Sequence, residues 1–140
     1  NEPLAKEKML LLNAKDAFIQ ENYKLAIIES VIALEMILYE FIRLKGEKLN
    51  IGKNQIENFI IQVGVYAGID IVLKILVQNP IEEMQEAISV CKGAITIRNK
   101  IMHKGFTDLV PNETGEQILA IEKMIKFLKS QINSISKKED

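Results

Sequence analysis

The chain has very little of several residue types, and each shortage argues against a class of protein. A single cysteine, Cys91, rules out an intrachain disulfide and fits a reducing compartment. Tryptophan is absent, and aromatic residues make up only 6% of the 140. The single histidine, His103, leaves no Cys/His/carboxylate cluster with the spacing of a zinc site, and no glycine-rich phosphate loop occurs. We therefore expect neither a protein-bound metal nor another cofactor.

Charge and length are those of one ordinary globular domain. The net charge is −1, with 26% charged and 48% hydrophobic residues, so any contact with nucleic acid must be local. The best candidate for a membrane span is interrupted by Glu29, Glu35 and Glu40, and no signal peptide is visible. We expect no membrane contact and a cytoplasmic location. Residues 1–140 are expected to form one domain, and the start at Asn1 indicates excision from a longer protein or a tag remnant.

Helical spacing of apolar residues runs through most of the chain, and no pair of strand candidates competes with it. The sequence therefore predicts an all-α, up-and-down bundle of about five or six helices. The predicted helices cover residues 3–20, 23–45, 54–63, 69–78 and 81–104, and a last helix begins near residue 114.

Local capping and breaking residues set these boundaries. Asn22 is expected to mark a turn or cap, and Gly46 to stop the second helix. Gly64 and Gly68 weaken helix continuity and predict a break between the third and fourth helices. The remaining signals are Pro3 in the first turn, Asn79-Pro80-Ile81-Glu82 as a helix start, a loop at residues 106–112 with Pro111, a capping box at Thr114-Gly115-Glu116-Gln117, and a frayed end at residues 137–140.

The second predicted helix is apolar around most of its circumference, which indicates a central helix surrounded by protein. Glu35 interrupts this surface between apolar neighbours. One interpretation is a carboxylate at the edge of the core that reaches water. The other is a buried carboxylate, which would need a cationic or hydrogen-bonding partner because an unpaired buried charge is expensive. Arg98 is the natural candidate for that partner.

A local positive field surrounds the one histidine. No acidic residue occurs in residues 87–107, whereas Lys92, Arg98, Lys100 and Lys104 all do, together with His103. On a helical wheel at ~100° per residue, Arg98 falls inside an apolar arc, and Asn99 and His103 share the polar flank. Arg98 would therefore either snorkel from a half-buried position or pair with Glu35.

Arg98 and His103 point about 140° apart on a straight helix, so they do not easily close on one ligand. Two arrangements would bring them together. Either the helix distorts as it runs into Gly105, or a second chain packed against this surface completes the site.

The segment Arg98-Asn99-Lys100-Ile101-Met102-His103 resembles the Arg-polar-x(3–5)-His signature of HEPN domains, the "higher eukaryotes and prokaryotes nucleotide-binding" superfamily. The apolar helix that begins at Tyr23 is similar to the long helix of bacterial members, including the apea-like group. The resemblance in helix order covers nearly the whole chain. It implies a four-to-five-helix bundle that dimerises and brings two copies of the motif into one cleft.

The resemblance further implies RNA binding or metal-independent endoribonuclease activity in a toxin–antitoxin, phage-defence or RNA-processing setting. His103 would move the 2′-OH proton, because an imidazole titrates near neutral pH. Arg98 would hold the phosphate and offset charge in the transition state. Asn99 would orient the imidazole or donate to phosphate, and Lys92, Lys100 and Lys104 would attract phosphates without regard to sequence.

Two other interpretations remain open. Some members of the superfamily are interaction modules, so the chain would be a non-catalytic dimerisation module of a larger protein, with Arg98 kept for its ion pair. In the simplest interpretation, the chain is a plain helical bundle and the motif arose by chance. The partners implied by the resemblance are RNA, a second copy of the chain, and an antitoxin or further domains of a longer chain.

Overall fold

The structure is a computed structural model that describes residues 5–77, 81–106 and 108–137. Within these ranges every regular element is helical, and no strand is present. The elements in chain order are α1 (Lys6–Ile19), α2 (Tyr23–Lys48), α3 (Lys53–Ala67), a π-helical segment (Gly68–Val72), α4 (Leu73–Leu76), a 3₁₀ turn (Glu82–Met84), α5 (Gln85–Lys104) and α6 (Pro111–Lys137). The predicted all-α helical bundle is confirmed.

Helix α2 is the centre of the bundle, as its all-round apolar surface predicts. It contacts α1, α3, α5 and α6, and α6 in turn also packs against α1 and α5. Leu34, Leu38 and Phe41 are fully buried along α2 and form the middle of the main core. Large aliphatic and aromatic side chains buried in this way supply most of the stabilisation of such a bundle.

The turn between α1 and α2 is built from local chemistry. Helix α1 ends at Ile19, and Glu21 takes a positive φ of 62° in the tight connection. Asn22 is the N-cap of α2, and its side chain accepts a hydrogen bond from the backbone N–H of Leu25 at 3.4 Å. The role predicted for Asn22 is confirmed. The start predicted for α1 at Pro3 lies outside the described residues.

Gly46 does not stop α2, and the prediction that it would was wrong. The helix continues to Lys48, and the chain turns at Asn50, which has a positive φ of 59°. Gly46 is buried inside the last turns, where a Cβ would lie 2.6 Å from Cδ1 of Ile56 on α3. Glycine at this position therefore allows a close approach of two helices, a tertiary requirement with no local signature.

The break predicted between the third and fourth helices occurs at Gly64, inside α3, and not at Gly68. Gly64 has φ 74° and ψ 177°, far from helical values, and the backbone kinks there. Gly68 is helical and buried, and a Cβ on it would lie 2.7 Å from Cδ2 of Leu38. The segment predicted as the fourth helix contains the π-helical turn at Gly68–Val72, a form seen mostly as single turns inside helices. The helix predicted to reach about Gln78 ends at Leu76, because Val77 is already extended.

The best candidate for a membrane span is the stretch Lys53–Leu76, and not the region of Glu29 to Glu40 that the sequence indicated. An 18-residue window within it has a mean hydropathy of 1.9, and by length and composition alone the stretch would be long enough to cross a membrane; a third of that window is buried inside the bundle. It is the one such stretch in the part of the chain that the structure describes.

The starts of α5 and α6 both differ from the predictions. The helix predicted to begin at Ile81 opens with the 3₁₀ turn and becomes α-helical at Gln85. Its proposed start signal at Asn79-Pro80 lies outside the described residues, as do Thr107 in the predicted loop and residues 138–140 of the predicted frayed end.

Helix α6 begins at Pro111, so the capping box predicted at Thr114 was wrong. Proline suits the first helical position because it needs no hydrogen bond there. The Thr114 N–H donates to the Val110 carbonyl at 2.9 Å, and Thr114 is only 2% exposed on the inner face of the helix. The loop predicted for residues 106–112 therefore ends earlier, at Val110.

Candidate functional site

The C-terminal end of α5 carries the motif, and a glycine cap fixes where the helix ends. Gly105 takes a left-handed conformation with φ 63° and ψ 32°. Its N–H donates to the Ile101 carbonyl at 3.1 Å, and the Phe106 N–H donates to the Lys100 carbonyl at 3.3 Å. This is the cap expected for a glycine that ends a helix. The helix is regular through Lys104, so no distortion turns Arg98 and His103 toward one another.

Two neighbouring side chains hold Arg98, which is half-buried on α5. Its Nη1 donates to Oε1 of Glu35 on α2, and its Nε donates to Oδ1 of Asn99 at 3.1 Å. The side chains of Arg98 and Glu35 are only 17% and 25% exposed. The pairing that explains an arginine in an apolar arc is thus present in the structure, and it ties α5 to α2.

Tyr39 lies in the same electrostatic environment as Arg98 and Glu35, although nothing in the sequence singled it out. Burial, followed by the charge of Glu35, raises the pKa of the Tyr39 phenol, and a hydrogen bond with Glu35 adds to the shift. Arg98 acts in the opposite direction, which places all three groups in one electrostatic neighbourhood. The spacing of the two residues could have indicated this contact, because Glu35 and Tyr39 are four apart on one helix and so share a face.

His103 lies apart from the Arg98 cluster, exposed in the last turn of α5. Asn99, predicted to orient the imidazole or bind phosphate, accepts through its Oδ1 the hydrogen bond from Arg98. Within the described residues, no side-chain hydrogen bond to His103 occurs. One chain therefore brings Arg98, Asn99 and Glu35 together and leaves His103 on an open surface.

Lys92 lies about three turns before this end of the helix and is already paired. Its Nζ donates to Oδ1 of Asp70 in the π-helical segment at 2.9 Å and lies 5.6 Å from the centroid of the Tyr66 ring. The hydrogen bond between the two raises the pKa of Lys92 and lowers that of Asp70. Asp70 was not anticipated, because nothing in the sequence links two residues on different helices 22 positions apart.

Lys100 and Lys104 are exposed near His103. The Lys100 Nζ lies 5.8 Å from the centroid of the Phe106 ring, a cation–π arrangement that steadies the side chain beside the helix end. The two lysines and His103 therefore form an exposed basic end of α5. Such a surface attracts phosphates independently of sequence.

The described residues contain no group of three or more histidine, cysteine, aspartate or glutamate side chains placed to hold a metal ion. Cys91 is fully buried, and burial raises the pKa of its thiol to about 12, so it is not a nucleophile at neutral pH. The groups in place for chemistry at this end of α5 are thus a guanidinium, an amide, an imidazole and two ammonium groups.

Comparison with known proteins finds no relative of this chain. No family model matches the chain, and neither a curated protein nor a solved structure matches it. The class that the fold defines is an all-α helical bundle with a basic helix end next to a shielded arginine–glutamate pair.

Proposed function

We propose that this chain is a HEPN-like RNA-binding domain that acts as a cytoplasmic homodimer and cleaves single-stranded RNA without a metal ion. The observation that carries the proposal is the position of the motif. Arg98 and Asn99 precede His103 in the last two turns of α5, the penultimate long helix of an all-α bundle. His103, Lys100 and Lys104 are exposed there, where a polyanion can reach them.

The proposed chemistry follows from these groups. The His103 imidazole takes the proton from a ribose 2′-OH, whose oxygen attacks the adjacent phosphorus. The bond to the 5′-oxygen breaks and that oxygen takes the proton back from the imidazolium, which leaves a 2′,3′-cyclic phosphate and a 5′-OH. Arg98 holds the phosphate and offsets its developing charge. Lys100 and Lys104 raise the local concentration of RNA through phosphate contacts.

A second copy of the chain supplies what one chain lacks. Arg98 and His103 lie on different sides of α5, which is regular between them. Two copies of α5 that face each other would set the His103 of one beside the Arg98 of the other. The setting we propose is a toxin–antitoxin, phage-defence or RNA-processing system, with an antitoxin or further domains of a longer chain as partners.

Cleavage is tested on a labelled single-stranded RNA in EDTA, with metal added in a parallel series. We expect cleavage that yields 2′,3′-cyclic phosphate ends, and none on a 2′-O-methyl RNA of the same sequence, which lacks the attacking hydroxyl. His103→Ala and Arg98→Ala should each abolish it while circular dichroism still reports a helical fold. RNA left intact at all protein concentrations tested would refute the catalytic proposal.

Mixing the two inactive variants tests the shared site. A heterodimer of Arg98→Ala and His103→Ala has one site in which both wild-type side chains meet, so we expect the mixture to regain activity. Each variant alone has none. No recovery from a mixture that forms heterodimers would contradict a site shared between two chains.

A specific observation also favours a non-catalytic interaction module. Arg98 is mostly shielded from water and paired with Glu35, as expected for a structural arginine. Breaking such a pair costs on the order of 3 kcal/mol, because the remaining carboxylate is left without its cation. In this alternative, Arg98→Ala lowers the melting temperature strongly and changes no nucleic-acid property.

A further inference from the structure

The guanidinium of Arg98 is already occupied in the free chain. It donates through Nη1 to Glu35 and through Nε to Asn99. Because this pair is largely shielded from water, its charges interact more strongly than those of a surface pair. A phosphate that approaches Arg98 meets a cation whose charge is offset, with a carboxylate directly beside it.

Glu35 has a second polar neighbour on its own helix. Tyr39 lies one turn further along α2, and burial together with the charge of Glu35 raises the pKa of its phenol. The phenol therefore stays protonated at neutral pH, so it is a hydrogen-bond donor on the same helix face as the carboxylate. If Arg98 turns away, Glu35 keeps a donor.

A groove of about 530 Å³ opens on the α2 side of the pair. Glu35 and Tyr39 both line it, together with Glu40 and Arg43. A carboxylate released by Arg98 would face water in this groove instead of a sealed core. Water and the Tyr39 hydroxyl together reduce the cost of separating the pair, which in a closed interior is several kcal/mol.

We propose that Glu35 is a displaceable counterion that holds Arg98 in the free chain and yields it to a phosphate. Tyr39 is the positioning residue that retains Glu35 during the exchange. The ligand is a phosphate or phosphodiester anion bound by the Arg98 guanidinium. This inference rests on the RNA-binding function proposed above.

The test uses Glu35→Gln, which keeps the shape of the side chain and removes its charge. Inorganic pyrophosphate probes the anion site alone, and a labelled single-stranded RNA probes the whole surface, both at one fixed ionic strength. We expect Glu35→Gln to bind each probe about tenfold more tightly, because the competing carboxylate charge is gone. Titration calorimetry and fluorescence anisotropy measure the two affinities.

Glu40→Gln is the matched control. Glu40 lines the same groove on the same helix, is exposed, and lies 3.9 Å from Arg43 rather than against Arg98. The Glu40→Gln substitution removes the same charge without freeing Arg98, so the affinity for either probe should change by no more than about twofold, as for an exposed charge. Equal gains from Glu35→Gln and Glu40→Gln would overturn the proposal, because they would report a general loss of negative charge.

Tyr39→Phe tests the positioning role. It should weaken pyrophosphate binding about threefold, the size of one hydrogen bond. In the Glu35→Gln background it should have no effect, because no carboxylate remains to be held. A purely structural contribution of the ring would weaken binding equally in both backgrounds. If Glu35→Gln loses helicity, unchanged affinity of Tyr39→Phe is enough to overturn the proposal.

The two probes separate this inference from the proposed function. The expected pyrophosphate results without RNA binding by any variant would refute the RNA function and leave the counterion role standing. Failure of every variant to bind pyrophosphate, or no gain from Glu35→Gln, would refute the counterion role even if RNA is bound.

Discussion

Three glycines allow the backbone contribution to stability to be measured almost in isolation. A Cβ added at Gly64 or Gly105 meets nothing within 4 Å, and one added at Gly93 meets only Nε2 of Gln117 at an ordinary 3.6 Å. Substitution by alanine therefore adds one methyl group without a clash at any of the three. What differs is conformation: Gly93 is helical, Gly105 is left-handed, and Gly64 is extended with positive φ.

The expected free energies of unfolding follow from these conformations. Gly93→Ala should stabilise the protein by about 0.5–1 kcal/mol, because alanine loses less backbone entropy on folding. Gly105→Ala should lose roughly 1–2 kcal/mol of unfolding free energy because alanine disfavours the left-handed conformation. Part of this is offset because alanine restricts the unfolded chain, so the net loss is about 1 kcal/mol. Gly64→Ala should cost the most, about 2 kcal/mol, because its region of backbone space is essentially restricted to glycine.

Urea unfolding followed by circular dichroism measures the series, with a common m-value as the check that only stability has changed. The order of stability should be Gly93→Ala, wild type, Gly105→Ala, Gly64→Ala. A Gly105→Ala variant as stable as wild type, or a Gly93→Ala variant less stable than Gly105→Ala, would refute the reasoning.

Three further predictions concern the core and the ion pairs. Lys92 lowers the pKa of Asp70, so the pair stabilises the protein above the ordinary aspartate pKa of ~3.9, and this stability is lost as the pH falls through the lower folded value. Lys92→Met should therefore flatten the fall in melting temperature below about pH 5, and an unchanged fall would contradict the assignment. The Cys91 thiol, with its pKa raised to about 12, should resist an aromatic disulfide reagent at neutral pH until urea is added, and rapid native labelling would show that it is accessible. Leu34→Ala should cost about 2–5 kcal/mol of unfolding free energy because Leu34 is fully buried, whereas exposed Leu119→Ala should cost no more than about 0.5.

Features set by neighbouring residues could be predicted from the sequence. The helices follow from the spacing of apolar residues, and the centrality of α2 follows from its apolar circumference. Asn22 as a cap and Gly105 as a helix end are also local, since each acts on backbone groups within one turn. The ion pair of Arg98 with Glu35 could also be predicted from the sequence, because both residues interrupt apolar surfaces that must meet.

Features set by tertiary contact could not be predicted. Gly46, Gly64 and Gly68 were all predicted to interrupt helices. Only Gly64 kinks the backbone, whereas Gly46 and Gly68 allow Ile56 and Leu38 to approach closely. Pro111 suits a loop and a first helical turn equally well, so its role depends on how the following helix packs. The pairing of Lys92 with Asp70 depends on how α5 sits against the π-helical segment, which no local pattern specifies.

The kink at Gly64 has a consequence for the apolar stretch Lys53–Leu76. As one straight helix of 24 residues it would extend about 36 Å, more than the ~30 Å hydrocarbon thickness of a bilayer. Gly64 divides it into residues 53–63 and 65–76, each no longer than about 18 Å. The folded chain thus combines the hydropathy of a membrane span with the dimensions of two short helices, and the two backbone torsion angles of one glycine separate these geometries.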